Sequence, residues 1–321
     1  MIKLRSFGLY NNHDPYYVGF LTRWQLSYLK FHFLKVSNDG KGDCTIVELP
    51  DDTLMVIDIK NARIGQAPLT DCENPIEYLQ NIPNSNSIHR YIQTHPDMDH
   101  LDGFSDFLTD RSIVNFWDTD NNKTIDEFTN YREDDWTTYT KKKNLGKILH
   151  LDRRTNEITY SDGQKYDYQI FPISPTEDLV QQANDAKSDC YNLLSYVVLL
   201  RYKNCKILFG GDAPESVWNE IETWIDENDD ARELFSNITI FKTSHHGRDS
   251  GYCGNSFLQK INPSAIIADN NVSSEESAYD KYKKFLENRS PSGLMFDIGR
   301  ETVFGKYDTV NGTIIDYKTN W

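Results

Sequence analysis

The chain has 321 residues, 38% hydrophobic and 13% aromatic, enough to bury a substantial core and too rich in ring side chains for a disordered segment. Its formal net charge of −15 counts against a broad basic face, so a nucleic-acid substrate would need a local patch or a metal to attract it. No run of about 18 apolar residues could span a bilayer, the N-terminus lacks a signal-peptide layout, and the five cysteines form no CxxC pair. A cytoplasmic protein without membrane contact is expected.

Residues 1–27 read as an N-terminal extension. Residues 28–36 (YLKFHFLKV) alternate as a strand and lead into the turn SNDGKGD. CTIVELP and TLMVIDI are further apolar runs joined through Pro50-Asp51-Asp52, a hairpin signal. PIEYLQNI (75–82) has helical spacing, and IHRYIQT (88–94) is a short β run that ends at THPDMDH. LDGFSDFLTD then opens a helix whose N-terminal amides are expected to face the same loop.

Residues 118–147 are strongly polar and partly helical in pattern, which predicts a solvent-exposed insertion or lid; the inserted region is placed at about 118–165. Short β runs follow (KILHLD, EITYSDG, YDYQIFPIS), then a polar segment, then LLSYVVLLRY and CKILFGGD, joined by Lys203-Asn204 as a second hairpin. PESVWNEIETWIDENDDARELF reads as one amphipathic helix with proline in its first turn. ITIFKTSHHG is a strand ending in two histidines, SAIIADN another, SSEESAYDKYKKFLENR a helix with a serine cap, and three strands close the chain.

Three polar clusters therefore fall at the ends of β runs: His95, Asp97, Asp99 and His100; then Asp212 in FGGD; then His245 and His246 in TSHHG. Strands of one sheet end side by side, so clusters far apart in sequence can converge. Imidazoles and carboxylates are natural ligands for Zn²⁺, Mn²⁺ or Fe²⁺. Each cluster alone is an ordinary polar turn; the three together, in this order, point to a metal site.

The series H-x-D-x-D-H, GD and HHG resembles the metallo-β-lactamase fold superfamily, whose usual first motif is H-x-H-x-D-H. It is most similar to the hydrolase domain of competence-type DNA-uptake proteins and their soluble relatives, beginning at FHFLKVSNDGKGDC and ending near NGTIIDY. The resemblance implies an α+β protein, an αββα sandwich of two mixed sheets flanked by helices, spanning residues 28–321. It places His95 and Asp97 at a first metal, Asp99 and His100 at a second, and Asp212 between them, with His246, which is followed by glycine, as the ligand of the HHG motif. Asp43 and Asp58 would support the ligands from behind.

Asp97 stands where the superfamily usually has histidine, and Asn192 stands where its third histidine falls, 20 residues before Asp212 (212 − 192). Both departures favour Mn²⁺ over Zn²⁺ at the first position, or a single ion in place of two. Lys60 follows IDI where the group often has glycine.

The implied activity is metal-dependent hydrolysis, through a metal-activated water, of a phosphodiester in a nucleic acid or nucleotide. Asp99 would also orient the attacking water, and His245, pointing away from His246 on an extended backbone, would either support a ligand from behind or donate a proton. Lys242, Arg248 and Tyr252 would hold the anionic substrate. A small ester or amide hydrolase, or a weakly catalytic sensing module motivated by Asn192, are the alternatives.

Overall fold

The computed structural model describes residues 28–65, 69–145, 158–161, 164–186, 191–308 and 313–319. The expected extension 1–27, the run KILHLD and part of the expected insertion lie outside the described residues. Two seven-stranded mixed sheets pack face to face. The first contains β1 (Leu29–Phe33), β2 (Thr45–Glu48), β3 (Leu54–Ile57), β4 (Ser87–Ile92) and β5 (Ser112–Trp117), with β13 (Val303–Asp308) and β14 (Thr313–Thr319) returning to pair beside β1. The second contains β6 (Ile158–Ser161), β7 (Gln164–Ser174), β8 (Val197–Tyr202), β9 (Cys205–Phe209), β10 (Ile240–Lys242), β11 (Ala265–Ala268) and β12 (Leu294–Asp297).

Strand periodicity decides what each face buries. Leu29, Phe31 and Phe33 of β1 point between the sheets and meet Val198, Leu200 and Tyr202 of β8. Val197 and Leu199, the intervening residues of β8, point outward into the layer formed by α5 (Glu215–Glu227), α6 (Asp229–Phe235), α7 (Gly254–Ile261) and α8 (Tyr279–Glu287). On the opposite face, α1 (Pro75–Leu79), α2 (Phe104–Asp110) and α3 (Glu133–Leu145) cover the first sheet. The fold is thus the αββα sandwich that the motif order implies. No helix among the described residues is long and apolar enough to cross a membrane.

Several elements depart from expectation. The helix expected across PESVWNEIETWIDENDDARELF is two: Asn228 ends α5 in an extended conformation, and its side chain then caps α6 through Ala231 N at 2.9 Å. The polar segment after β7 forms α4 (Glu177–Ala186), which buries Leu179 and Ala183. The largest difference concerns α3. It is not simply a solvated face, because Trp136 and Tyr139 pack against Phe104 and Phe116. Asp135, fully buried, accepts hydrogen bonds from Gly103 N (3.0 Å) and Ser105 N (2.9 Å), and pairs with Arg132 at 3.0 Å. The first amides of α2 are therefore committed to Asp135 and do not face the THPDMDH loop.

Two runs of parallel strands set the position of the site. β3, β4 and β5 run parallel in the first sheet, as do β9, β10, β11 and β12 in the second. Their C-terminal ends open onto one edge of the sandwich, joined there by Tyr196 N donating to Thr94 O at 3.0 Å. Replacing Asp135 by Ala leaves the buried α2 donors without their acceptor and removes one of the two carboxylates that Arg132 pairs with, and should cost about 3 kcal/mol in urea denaturation. An unchanged midpoint would show that the α2–α3 contact does not depend on this carboxylate.

Candidate metal centre

Asp58 follows β3 and turns the chain out of the sheet in the left-handed region, at φ 53°, which aspartate tolerates better than most residues. The strand thus ends at Ile57, and the Asp58 carboxylate faces the next strand end. It accepts from Thr94 N (2.7 Å), Thr94 Oγ1 (2.6 Å) and Gln93 Nε2 (3.2 Å), and meets His100 Nδ1 at 2.8 Å. That contact fixes the His100 ring so that Nε2 faces the site. Gln93 Nε2 also donates to His95 O at 2.9 Å, closing the loop around Asp58.

Asp212 arrives from the second sheet. Gly211 (φ 50°) makes the sharp turn after β9, and Asp212 N donates to Ser195 Oγ at 3.1 Å. His245 and His246 follow β10 with φ of 49° and 57°. They are not on extended backbone as expected, so both rings face the site. His246 lies 3.2 Å (Nε2) from Asp212 Oδ2 and 3.7 Å from Asp99 Oδ2, with Asp43 Oδ2 at 3.4 Å from its Nδ1. His245 Nε2 is 3.9 Å from Asp212, and its Nδ1 is bound to Ser250 Oγ at 2.7 Å.

Gly42 of the GKGD turn has φ 71°, and its N–H is 3.3 Å from His246 Nε2. A Cβ there would fall 2.2 Å from Asp99 O and 2.3 Å from Lys60 Cδ, so only glycine allows the turn to reach the ligands. Lys60 is buried along this turn, with its ammonium 3.7 Å from Asp39.

Three groups of donors come together, each with all its donor atoms within 4.8 Å of one another: His95, His100 and Asp212; Asp99, His100 and His246; Asp43, Asp212 and His246. The distances suit a cation. His100 Nε2 lies 3.3 Å from Asp212 Oδ2 and 3.9 Å from Asp99 Oδ2, close to the edges of about 3.4 Å of a tetrahedron with bonds of about 2.1 Å. His95 Nε2, His100 Nε2 and Asp212 Oδ1 are buried with no hydrogen-bond partner, as expected of atoms that face an ion. The donor set therefore fits one or two divalent metals.

The electrostatics agree. Burial pushes the Asp212 carboxyl up, but His246 and His100 outweigh it and hold it well below the usual carboxylate range. Burial likewise lowers the two imidazoles, yet Asp212, Asp58 and Asp99 push His100 well up, and Asp212 and Asp43 push His246 up to about 9. His245 stays lowered by burial against the opposing pull of Asp212. Without a metal, protons on His100 and His246 supply the positive charge these carboxylates require.

Other expected residues lie elsewhere. Asp97 belongs to none of the three groups: one oxygen is 3.6 Å from His95 Nε2 and the other is paired with Lys123. Lys242 is 4% exposed, and its ammonium is held by Asp43 at 2.9 Å. Arg248 is paired with Glu276, and the Tyr252 hydroxyl donates to Asn255 at 2.9 Å. Gln93, Thr94, Ser195 and Lys123 were not foreseen. None carries a signal, since each contributes through its place at a strand end or loop and not through a motif.

No family model matches the chain, and no curated protein matches it. Similar solved structures include CmlA, a diiron β-hydroxylase from Streptomyces venezuelae, at 8% identity and TM-score 0.51 over 84% of this chain and 53% of that one. The metallo-β-lactamase fold protein YhfI from Bacillus subtilis aligns at 8% identity and TM-score 0.47, covering 86% of this chain and 100% of that one. Unliganded yeast PDE1 aligns at 12% identity and TM-score 0.45, covering 84% and 97%. The chain spans about half the length of CmlA. At such identities these likenesses concern fold alone. The αββα sandwich and the convergence of the three motifs at one edge are the arrangement that the resemblance implies.

A ligand imidazole must be neutral to bind metal, and the carboxylates hold His246 protonated up to about 9. Mn²⁺ binding at pH 7 should therefore release protons and tighten as pH rises toward 9, measured by calorimetry in buffers of different ionisation enthalpy. Buffer-independent heats would contradict this. Asp58→Asn should weaken Mn²⁺ affinity by roughly 10- to 100-fold by freeing the His100 ring.

Proposed function

We propose that the protein is a metal-dependent hydrolase of phosphodiesters, acting on a nucleotide-sized substrate ahead of a nucleic-acid polymer. The observation that carries this reading is the convergence of Asp99, His100, Asp212 and His246 at the edge where both sheets end. A divalent ion held by these residues would supply Lewis acidity, acidifying water toward neutral pH and polarising the scissile bond. Asp99 is the most open of these four side chains, at 20% exposure against 4% for Asp212, 2% for His246 and 0% for His100. It is placed to accept a hydrogen bond from the attacking water and hold it in line. His245, anchored through Ser250 with Nε2 turned to the site, is placed to transfer a proton to the leaving oxygen.

The size of the substrate follows from where the cations are. Lys242 and Arg248 are committed to Asp43 and Glu276, and the chain carries a net charge of −15. A polymer phosphate backbone needs several unpaired cations along a groove, whereas a small substrate needs only those at the scissile group. The carboxylate-rich donor set suits phosphoryl oxygens bridged by a hard cation.

Purified protein loaded with Mn²⁺ or Zn²⁺ should hydrolyse bis(p-nitrophenyl) phosphate and lose that activity in chelator. Asp99→Ala and His246→Ala should each lower kcat/KM by roughly 100-fold or more, at least the upper end of losses caused by removing ligand-supporting groups. Full rates in both variants would mean the site lies elsewhere. Cyclic dinucleotide cleavage should exceed single-stranded DNA or RNA cleavage and vary little with salt; a steep salt dependence with polymer preferred would reverse the substrate assignment.

A further inference from the structure

We propose that Lys123 is the built-in cation beside the first metal position: its ammonium neutralises Asp97 and limits the protein to one tightly held divalent ion, on the side of Asp99, His100 and His246. The inference rests on the metal-hydrolase reading above and deepens it by fixing the number of ions.

Asp97 has its two carboxylate oxygens directed at different partners. His95, His100 and Asp212 frame a second cation position, and Asp97 Oδ2 borders it, 3.6 Å from His95 Nε2. Oδ1 is taken by the Lys123 ammonium. An incoming ion would face an ammonium on the same carboxylate, and like charges at that range repel.

The carboxylates divide accordingly. Among the described residues, Asp99 and Asp212 form ion pairs with imidazoles alone, whereas Asp97 in the same motif takes a lysine. An imidazole can give up its proton and ligate a metal; a lysine ammonium that remains charged cannot.

Lys123 is also held in place. Its loop is clamped on one side by Asn122, which donates from N and Nδ2 to Asn184 (2.9 and 3.1 Å), and by Asn184 Nδ2 donating back to Asp120 O at 2.8 Å. Tyr191 OH donates to Asn122 Oδ1 at 3.0 Å, and the Lys123 ammonium lies 5.0 Å from the centre of the Tyr191 ring, within cation–π range. Tyr191 opens the short 3₁₀ turn that carries Asn192. The turn that stands where a third histidine ligand is usual thus contributes a ring that holds the lysine.

Metal content after equilibrium dialysis against Mn²⁺, read by elemental analysis, tests the proposal without relying on activity. The wild-type chain and Lys123→Arg should bind one ion, and Lys123→Met should bind two, with thermal melts confirming that each variant is folded. Two ions on the wild type, or one on both the wild type and Lys123→Met, would overturn the inference while leaving the hydrolase reading intact. No ion on any of the three proteins would remove the hydrolase reading and the inference together. Crystals of the wild type soaked in Mn²⁺ give an independent measurement if Lys123→Met does not fold. One anomalous peak, beside His100 and His246, is expected; a second peak between His95, Asp97 and Asp212 overturns the proposal.

Discussion

The site depends on one buried carboxylate. Asp212 Oδ2 lies 3.2 Å from His246, 3.3 Å from His100, and 3.9 Å from both His95 and His245. A buried anion is costly unless its charge is matched, and no Lys or Arg among the described residues pairs with it. Its compensation comes from imidazoles, which exchange a proton for a metal at modest cost. Asp212 therefore makes the cluster a cation receptor, whether the cation is a proton shared over two rings or a divalent ion.

The fold supplies this convergence through strand ends and left-handed turns. Asp58, Gly211, His245 and His246 all take positive φ just beyond a strand, so Asp58, Asp212 after Gly211, and the two histidines are redirected from the sheet plane into the common edge. Such backbone is unfavourable for most residues and is held here by specific bonds, including His245 N to Gly211 O at 2.9 Å and Gly210 N to Lys242 O at 3.1 Å. Asp43 and Asp58 then fix the far nitrogens of His246 and His100. The rigid sheets set position, and the turns set direction.

Much of this was legible in the sequence. β runs and hairpins showed through alternation and turn residues, and the three motifs placed His95, Asp99, His100, Asp212 and His246 in one region because strands of a sheet end together. What was not legible has physical causes. Asn228 breaks a continuous amphipathic pattern through its own capping bond, which periodicity does not register. The polar composition of α3 hides Trp136 and Tyr139, whose burial depends on α2. Backbone sign at His245 reversed its expected direction, since alternation applies only to extended chain. Lys123 lies in a polar stretch 26 residues beyond Asp97, and only the folded loop brings it there.

The distribution of charge separates the carboxylates around this edge into two kinds. Several have a cation of their own: Asp43, itself a member of one donor group, with Lys242, Asp102 with Arg63, and Asp106 and Asp135 with Arg132. Those that face the metal position, Asp99 and Asp212, form ion pairs only with histidine among the described residues. A lysine or arginine beside a metal-facing carboxylate would compete with the ion, so the division marks which acids are open to ligation. Asp97 is in the ligand motif by sequence but in the other kind by its partner. By partners the H-x-D-x-D-H motif therefore divides: Asp99 and His100 lie among imidazoles and carboxylates, and Asp97 is paired with a lysine from a distant loop.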